Sequence, residues 1–391
     1  MATPTIDLEA LGFDRGAGIL LDRALAGLSP GTRLAVVGRD PALNVDLAPW
    51  CRSHGHRVEA ENVVIKGAAS VGRWVGATRA GAPGPGGVVE RPDPAWGLAA
   101  RGALVESGAR PSGFDLDDGA VVWTDIAPRL YAQAVASQWD PATAIDWKAA
   151  KELPPDVEAA VVQVMTYLVE NEQAALVVPA RFVGRVHPHF REVVQLLAVQ
   201  VADEARHVEV FARRAALRGG ALGVSTTGGR ASLQTLLDEP DFSLASFLLS
   251  VLGEGTFLNL LSFIETYAPD AVTRQVAHLA LQDEARHVAF GLAHVEHRVE
   301  VDPALLGRLR LAIERRHDAL ASTAGLNEDV FDALVVLAAG AWRPDAIATG
   351  YERVQALAAD MDDGRRRRLV RLGFPADEAA ELSALHTRNF M

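Results

Sequence analysis

The sequence predicts a mainly α-helical protein, a long helical bundle preceded by a small α/β sandwich. Three observations carry this. From about Thr124 onward, apolar residues recur at three- and four-residue spacing over long stretches. Pro154, Pro179, Pro188, Pro240, Pro269, Pro303 and Pro344 fall near the ends of these stretches, where helices start or stop. Ahead of them, short apolar runs bounded by turn signals alternate with helical ones, the pattern of a two-layer α/β unit. The boundaries that follow are an α/β domain over 1–80, a Gly/Pro-rich linker over 81–120 and a bundle over 121–391.

Within the first domain, 5–11 and 33–37 read as strands, and 19–28 and 45–53 as short helices. Residues 57–65 and 73–80 read as further strands. The stretch from Gly81 to Pro94, GAPGPGGVVERPDP, has the composition of a linker. The bundle holds at least seven helices. Four of them, over about 155–178, 190–217, 243–266 and 270–299, carry the chemistry discussed below.

Composition excludes several classes. Of 391 residues, 49 % are hydrophobic and 23 % charged, which rules out a disordered chain. The 38 basic and 50 acidic residues give a net charge of −12, which argues against a nucleic-acid partner. The single cysteine, Cys51, cannot form an internal disulfide, a CxxC pair or a cysteine-rich zinc or iron–sulfur site. Any metal must therefore use oxygen and nitrogen ligands. No secretory signal and no run of about 18 apolar residues is visible, so a cytoplasmic location without a membrane span is expected.

One pentapeptide occurs twice. Residues 203–207 and 283–287 both read DEARH, 80 positions apart, each inside a long helical segment. Glu and His at i and i+3 share a helical face, so Glu204 with His207, and Glu284 with His287, can reach one centre. A dinuclear site in a four-helix bundle also takes one carboxylate from each of the other two helices. On the first helix the stripe Met165, Leu168, Leu176, Pro179 continues through Glu172, not Glu170. On the third, Phe247, Val251, Leu258 and Leu261 define a stripe that includes Glu254. Glu265, eleven residues later, lies roughly 16 Å further along the axis and is too far to join. Four carboxylates would balance two divalent ions, and a Glu/His donor set suits iron or manganese better than calcium or structural zinc. Asp203 and Asp283 are placed to orient metal-bound histidines, with Arg206 and Arg286 beside them. His294 is expected to be structural, and His187 and His189 to lie in an interhelical turn. Arg365 to Arg368 reads as a solvated face.

These residues resemble the ferritin-like diiron-carboxylate superfamily. It includes bacterial multicomponent monooxygenase hydroxylases, the ribonucleotide reductase small subunit, acyl-carrier-protein desaturases and arylamine N-oxygenases. Its signature is an acid and then Asp-Glu-x-Arg-His, twice over. Here Glu172 precedes Asp203 by 31 positions and Glu254 precedes Asp283 by 29. The resemblance covers about 155–300. It implies two iron ions, or manganese and iron, with Glu172 and His207 terminal on one, Glu254 and His287 terminal on the other, and Glu204 and Glu284 bridging. It also implies dioxygen as co-substrate. The radical tyrosine of the reductase subunit is replaced by Phe211, and the extra histidine of the N-oxygenases by Ala280.

The first domain resembles small sulfur-carrier proteins of the TusA type, over about 5–80. The matching features are Leu11-Gly12 and the segment LSPGTRLAVVGRDPALNVDLAPWCRSHGH from Leu28 to His56. The carrier cysteine should fall at Asp14 or Arg15 and is missing; Cys51 lies in the second helix. Such a domain could dock a partner, bind substrate or mediate a homodimer.

The expected activity is an oxygen-dependent oxidase or monooxygenase acting on a small organic substrate by hydroxylation, N-oxygenation or desaturation. Electrons must come from an external donor, since no flavin, nicotinamide or iron–sulfur motif is visible. Thr256 is expected to place a hydroxyl near the oxygen site. Leu168, Ala175, Leu176, Phe211 and Leu258 are the expected cavity lining. A ferroxidase-like metal protein and a tRNA-modifying hydroxylase are the rivals.

Overall fold

The computed structural model describes residues 3–321 and 328–385. Residues 386–391 of the expected bundle lie outside them. The chain divides into two compact units, Met1–Arg79 with Leu104–Ala109, and Ala80–Ala103 with Arg110–Met391.

In the first unit, β1 (Thr5–Asp7) and β2 (Arg33–Val37) pair in parallel, which requires a crossover, supplied by α1 (Ala17–Ala26). After β2 come α2 (Leu43–Ser53), β3 (Arg57–Glu59) and β4 (Val63–Ile65). The sheet order is β1-β2-β4-β3. Its core is Leu21, Leu25, Leu34, Val36, Leu47, Val64 and the fully buried Cys51.

The single strand expected over 57–65 is a hairpin. Glu61 and Asn62 take φ of 61° and 56°, which turns the chain back, so β3 and β4 pair antiparallel. The strand expected over 73–80 shrinks to β5 (Thr78–Arg79), paired with β6 (Leu104–Val105). Residues 73–76, with Gly76 at positive φ, form turns instead.

The second unit comprises α3 (Gly119–Val122), α4 (Ala127–Ala136), α5 (Pro155–Val183), α6 (Arg191–Ala215), α7 (Thr227–Leu237), α8 (Phe242–Ser246), a π-helical segment (Phe247–Glu254), α9 (Gly255–Tyr267), α10 (Ala271–Val301), α11 (Leu305–Ala321), α12 (Glu328–Ala339), α13 (Pro344–Arg371) and α14 (Ala376–Ala384). The four expected helices correspond to α5, α6, α8–π–α9 and α10. Pro179 does not end the first of them; it lies inside α5. α5 packs mainly on α6, and α10 on α9 and the π segment, while α12 and α13 cover α5 and α9.

The Gly81–Pro94 stretch, expected as linker, belongs to this second unit. Val89 N–H donates to His189 Nε2 at 2.9 Å. Arg101, a few residues on, forms a buried pair with Glu192 and donates to the His189 carbonyl at 3.0 Å. His187 and His189 lie in the turn between α5 and α6, as expected, and are buried. Phe242–Tyr267 is the one stretch among the described residues long and apolar enough to cross a membrane, but it is a core element of this unit.

Candidate metal centre

Glu172 comes from α5, Glu204 and His207 from α6, Glu254 from the end of the π segment, and Glu284 and His287 from α10. The structure brings these six together. All are buried, at 4 % exposure or less. They form two overlapping groups, Glu172–Glu204–His207–Glu284 and Glu204–Glu254–Glu284–His287, in each of which the donor atoms lie within 4.8 Å of one another. Glu170, the alternative to Glu172, is only half-buried, and Glu265 pairs with His278 at 2.9 Å, outside the cluster.

The arrangement is close to two-fold. His207 Nδ1 lies 3.0 Å from Glu204 Oε2, 3.3 Å from Glu284 Oε1 and 3.6 Å from Glu172 Oε2. His287 Nδ1 lies 2.9 Å from Glu204 Oε1 and 3.4 Å from Glu284 Oε2. Glu204 and Glu284 therefore each present one oxygen to each histidine and sit between them. Glu172 belongs to the His207 group alone and Glu254 to the His287 group alone.

The outer faces of the histidines are crossed. His207 Nε2 meets Asp283 Oδ2 at 3.3 Å, and His287 Nε2 meets Asp203 Oδ2 at 3.2 Å. Each aspartate thus orients the histidine of the other DEARH copy. The arginines complete the pattern. Arg206 contacts Asp203 at 2.5 Å and Asp283 at 3.2 Å, while Arg286 pairs with Asp283 and reaches Asp203 at 3.4 Å.

Sequence reasoning missed four supporting residues. Just after α4, Gln138 donates to Asp203 at 3.1 Å and Trp139 Nε1 donates to Asp283 at 2.8 Å. The Trp139 ring also lies under the Arg206 guanidinium at 5.0 Å. No spacing signal points to this pair. Gln200 donates to Glu254 at 3.1 Å, and the nearby Ser250 hydroxyl favours the ionised form of that carboxyl. These two were findable, being polar residues four positions before Glu204 and Glu254 on buried faces.

The electrostatics show what the cluster lacks by itself. Burial, with Glu284 and Glu204 close by, raises the Glu172 carboxyl well above its ordinary range, and burial beside Glu284 does the same to Glu254. Burial disfavours charge on the histidines, yet Glu172 beside His207 and Glu204 beside His287 hold both well above the usual imidazole range. Glu204 goes the other way: despite its burial, His287 and His207 keep it low. Protons thus offset the negative charge that cations would otherwise balance. Glu172 Oε1, Glu254 Oε2 and both Glu284 oxygens are buried without a hydrogen-bond donor. Buried carboxylate oxygens left this way are costly, and metal coordination satisfies them. The donor set fits two metal ions.

Other expectations change. Thr256 is fully buried, but its hydroxyl donates to the Leu252 carbonyl of its own helix at 2.7 Å, so it is not free to serve an oxygen site. Of the expected cavity lining, Leu168, Ala175 and Phe211 are packed in the core, Leu176 is half-buried, and Leu258 borders an open cleft of about 400 Å³ beside α9. His294 is buried, with Nε2 3.3 Å from the Ser243 hydroxyl, a structural contact as expected. The run Arg365 to Arg368 is not one solvated face. Arg365 is 4 % exposed and bonds Ser383, and Arg368 turns inward.

No protein-family model and no curated protein matches the chain. Among solved structures, it is similar to R2-like ligand-binding oxidases. One variant with an aerobically reconstituted Mn/Fe cofactor aligns at 18 % identity over 66 % of this chain and 94 % of that one, with a TM-score of 0.45. A second, with an Fe/Fe cofactor, gives 20 % identity, 66 % and 92 % coverage, and 0.43. What this centre can bind follows from its own donors.

Proposed function

We propose that the chain is an oxygen-activating oxidoreductase with a dinuclear centre of two irons, or of manganese and iron. It would oxidise a small organic substrate by hydroxylation, N-oxygenation or desaturation, with electrons from an external donor. The observation that carries this reading is the near two-fold set of four glutamates and two histidines with unsatisfied buried oxygens. Glu172 and His207 would hold one ion, Glu254 and His287 the other, with Glu204 and Glu284 between them. Such an ion pair supplies the electrons that reduce dioxygen.

The chain's own residues have definite tasks in this scheme. Asp283 and Asp203 accept from the histidine Nε2 atoms, which leaves Nδ1 as the donor toward the centre. Arg206 and Arg286 pair with those aspartates on their outer side, and Arg286 adds to the charge that keeps Asp283 ionised. Phe211, packed 6.2 Å from the His207 ring, and the Trp139 ring help to keep bulk water out. We read the first unit as a carrier-type α/β fold without its carrier thiol. Its β-α-β-α-β-β order and the core position of Cys51, whose thiol burial pushes up to about 11, support this.

A second reading, ferroxidase-like metal handling without organic substrate, draws on one observation: the cavity of about 400 Å³ beside α9 is lined by none of the six residues. Anaerobic iron loading tests the common core. Two irons per chain, with oxygen consumed on exposure, are expected, and Glu204→Ala or His287→Ala should abolish both. Full metal content in both variants would overturn the assignment. Iron oxidation with no organic product from any candidate substrate would favour the second reading.

A further inference from the structure

The arginine run on α13 leads away from the metal centre to a separate cavity. This cavity, an open surface cleft of about 400 Å³, lies among α9, α10 and α13. Leu258 and Leu292 give it apolar walls, Asn259 and Ser262 give it polar side chains, and Arg367, Arg368 and Arg371 border it. Among the described residues, no carboxylate side chain lines it. Its volume is that of a small-molecule site.

Arg368 is the unusual member. Arg366 pairs with Asp362 at 2.6 Å, Arg367 with Asp363 at 2.7 Å, and Arg371 with Glu296 through two nitrogens. Among the described residues, Arg368 has no acidic partner. Its Nε donates to the Val251 carbonyl at 2.7 Å, and one terminal nitrogen lies 3.5 Å from the Thr256 hydroxyl. Gly255 makes room for this: a Cβ there would lie 2.5 Å from Arg368 Nε. Burial and the neighbouring Arg365 and Arg367 bring the guanidinium down to about 10, the direction expected of a cation with no counter-ion.

We propose that this cavity binds a small organic oxyanion, a carboxylate or phosphate on a short apolar body, with Arg368 as its anchor. A guanidinium still has terminal N–H groups to offer a carboxylate or phosphate after one bond to a carbonyl. Leu258 and Leu292 take the apolar part, and the carboxylates of Asp363 and Glu296 hold Arg367 and Arg371 at the border. The anion would settle against the guanidinium that caps the Val251 carbonyl, within the segment that ends in Glu254. The site does not depend on the nature of the metals.

Calorimetric titration of the full-length, metal-loaded protein at low ionic strength tests this, with phenyl phosphate, benzoate and inorganic phosphate as probes. One saturable site per chain is expected for at least one organic anion, and which one binds tells a phosphate from a carboxylate ligand. Inorganic phosphate should bind more weakly, for want of the apolar part. Arg368→Gln should weaken binding about tenfold or more, and Arg368→Lys should restore part of it. Ser262→Trp, at an exposed position, should fill the cavity and abolish binding while leaving Arg368 in place. The last variant keeps the test valid if Arg368→Gln does not fold. Absence of saturable binding by both organic anions, binding unchanged in Arg368→Gln or in Ser262→Trp, or inorganic phosphate binding as tightly as phenyl phosphate, would overturn the proposal.

Discussion

At the residue scale, the crossed aspartates set the chemistry of the centre. Asp203 and Asp283 are themselves buried, which would raise them, but each is held low, foremost by the opposite histidine. Each is therefore an ionised acceptor aimed at one imidazole nitrogen. Removing that charge by Asp283→Asn should weaken the ion on the His207 side, and Asp203→Asn the ion on the His287 side. Loss of such an outer partner typically lowers metal affinity about 10- to 100-fold. Stepwise metal titration should show one tight and one weakened site per chain in each single variant. Two undiminished sites would mean that the aspartates are structural only. The crossing could not be read from the sequence, because i and i+4 neighbours within one DEARH copy look equally able to meet. What decides it is the packing of α6 against α10.

At the scale of elements, helix positions and all four acid-bearing faces were legible, because long apolar stripes interrupted by single carboxylates leave few alternatives. The π turn was not. A period of 3.6 applied through Phe247, Val251 and Leu258 places Glu254 on the correct face, yet the chain reaches it through an eight-residue π segment buried along its whole length. Fitting the segment against α10 needs a glycine at 291, where a Cβ would lie 2.3 Å from the Ser250 Cβ. Helix propensity alone would make Gly291→Ala stabilising by about 1 kcal/mol. Overpacking at such a contact costs about 1–3 kcal/mol, so a net loss is expected. Urea unfolding should show a lower midpoint for Gly291→Ala, and adding Ser250→Gly, which relieves the contact at its own helix-propensity cost, should recover part of it. A single variant as stable as the parent would show that α10 and the π segment have slack between them. The hairpin at Glu61–Asn62 escaped notice for a related reason: alternation survives a turn that two non-glycine residues make at positive φ.

At the scale of the whole molecule, charge and burial act together through pH. The −12 balance read from the sequence says nothing of which groups are buried, and these decide acid stability. Away from the metal centre, burial lowers His189 to about 4 and His294 to about 3, with the nearby Arg101 and Arg298 adding to it. Both are uncharged in the fold: His189 Nε2 accepts the Val89 N–H, and His294 sits among Phe242, Phe290 and the Ser243 hydroxyl. Folded values below the unfolded value of 6.5 mean that the unfolded chain binds protons the native one excludes. Stability from these groups is then full above pH 6.5 and is lost as pH falls from there toward the folded values. For His294 the slope approaches about 1.4 kcal/mol per pH unit in that window. The comparison that isolates it is the difference in unfolding free energy between the parent and His294→Phe, measured between pH 7 and 4.5. Groups common to both chains, the metal cluster included, cancel in the difference. The parent should lose stability faster than the variant as pH falls, and parallel curves would show that His294 titrates alike in the folded and unfolded chain.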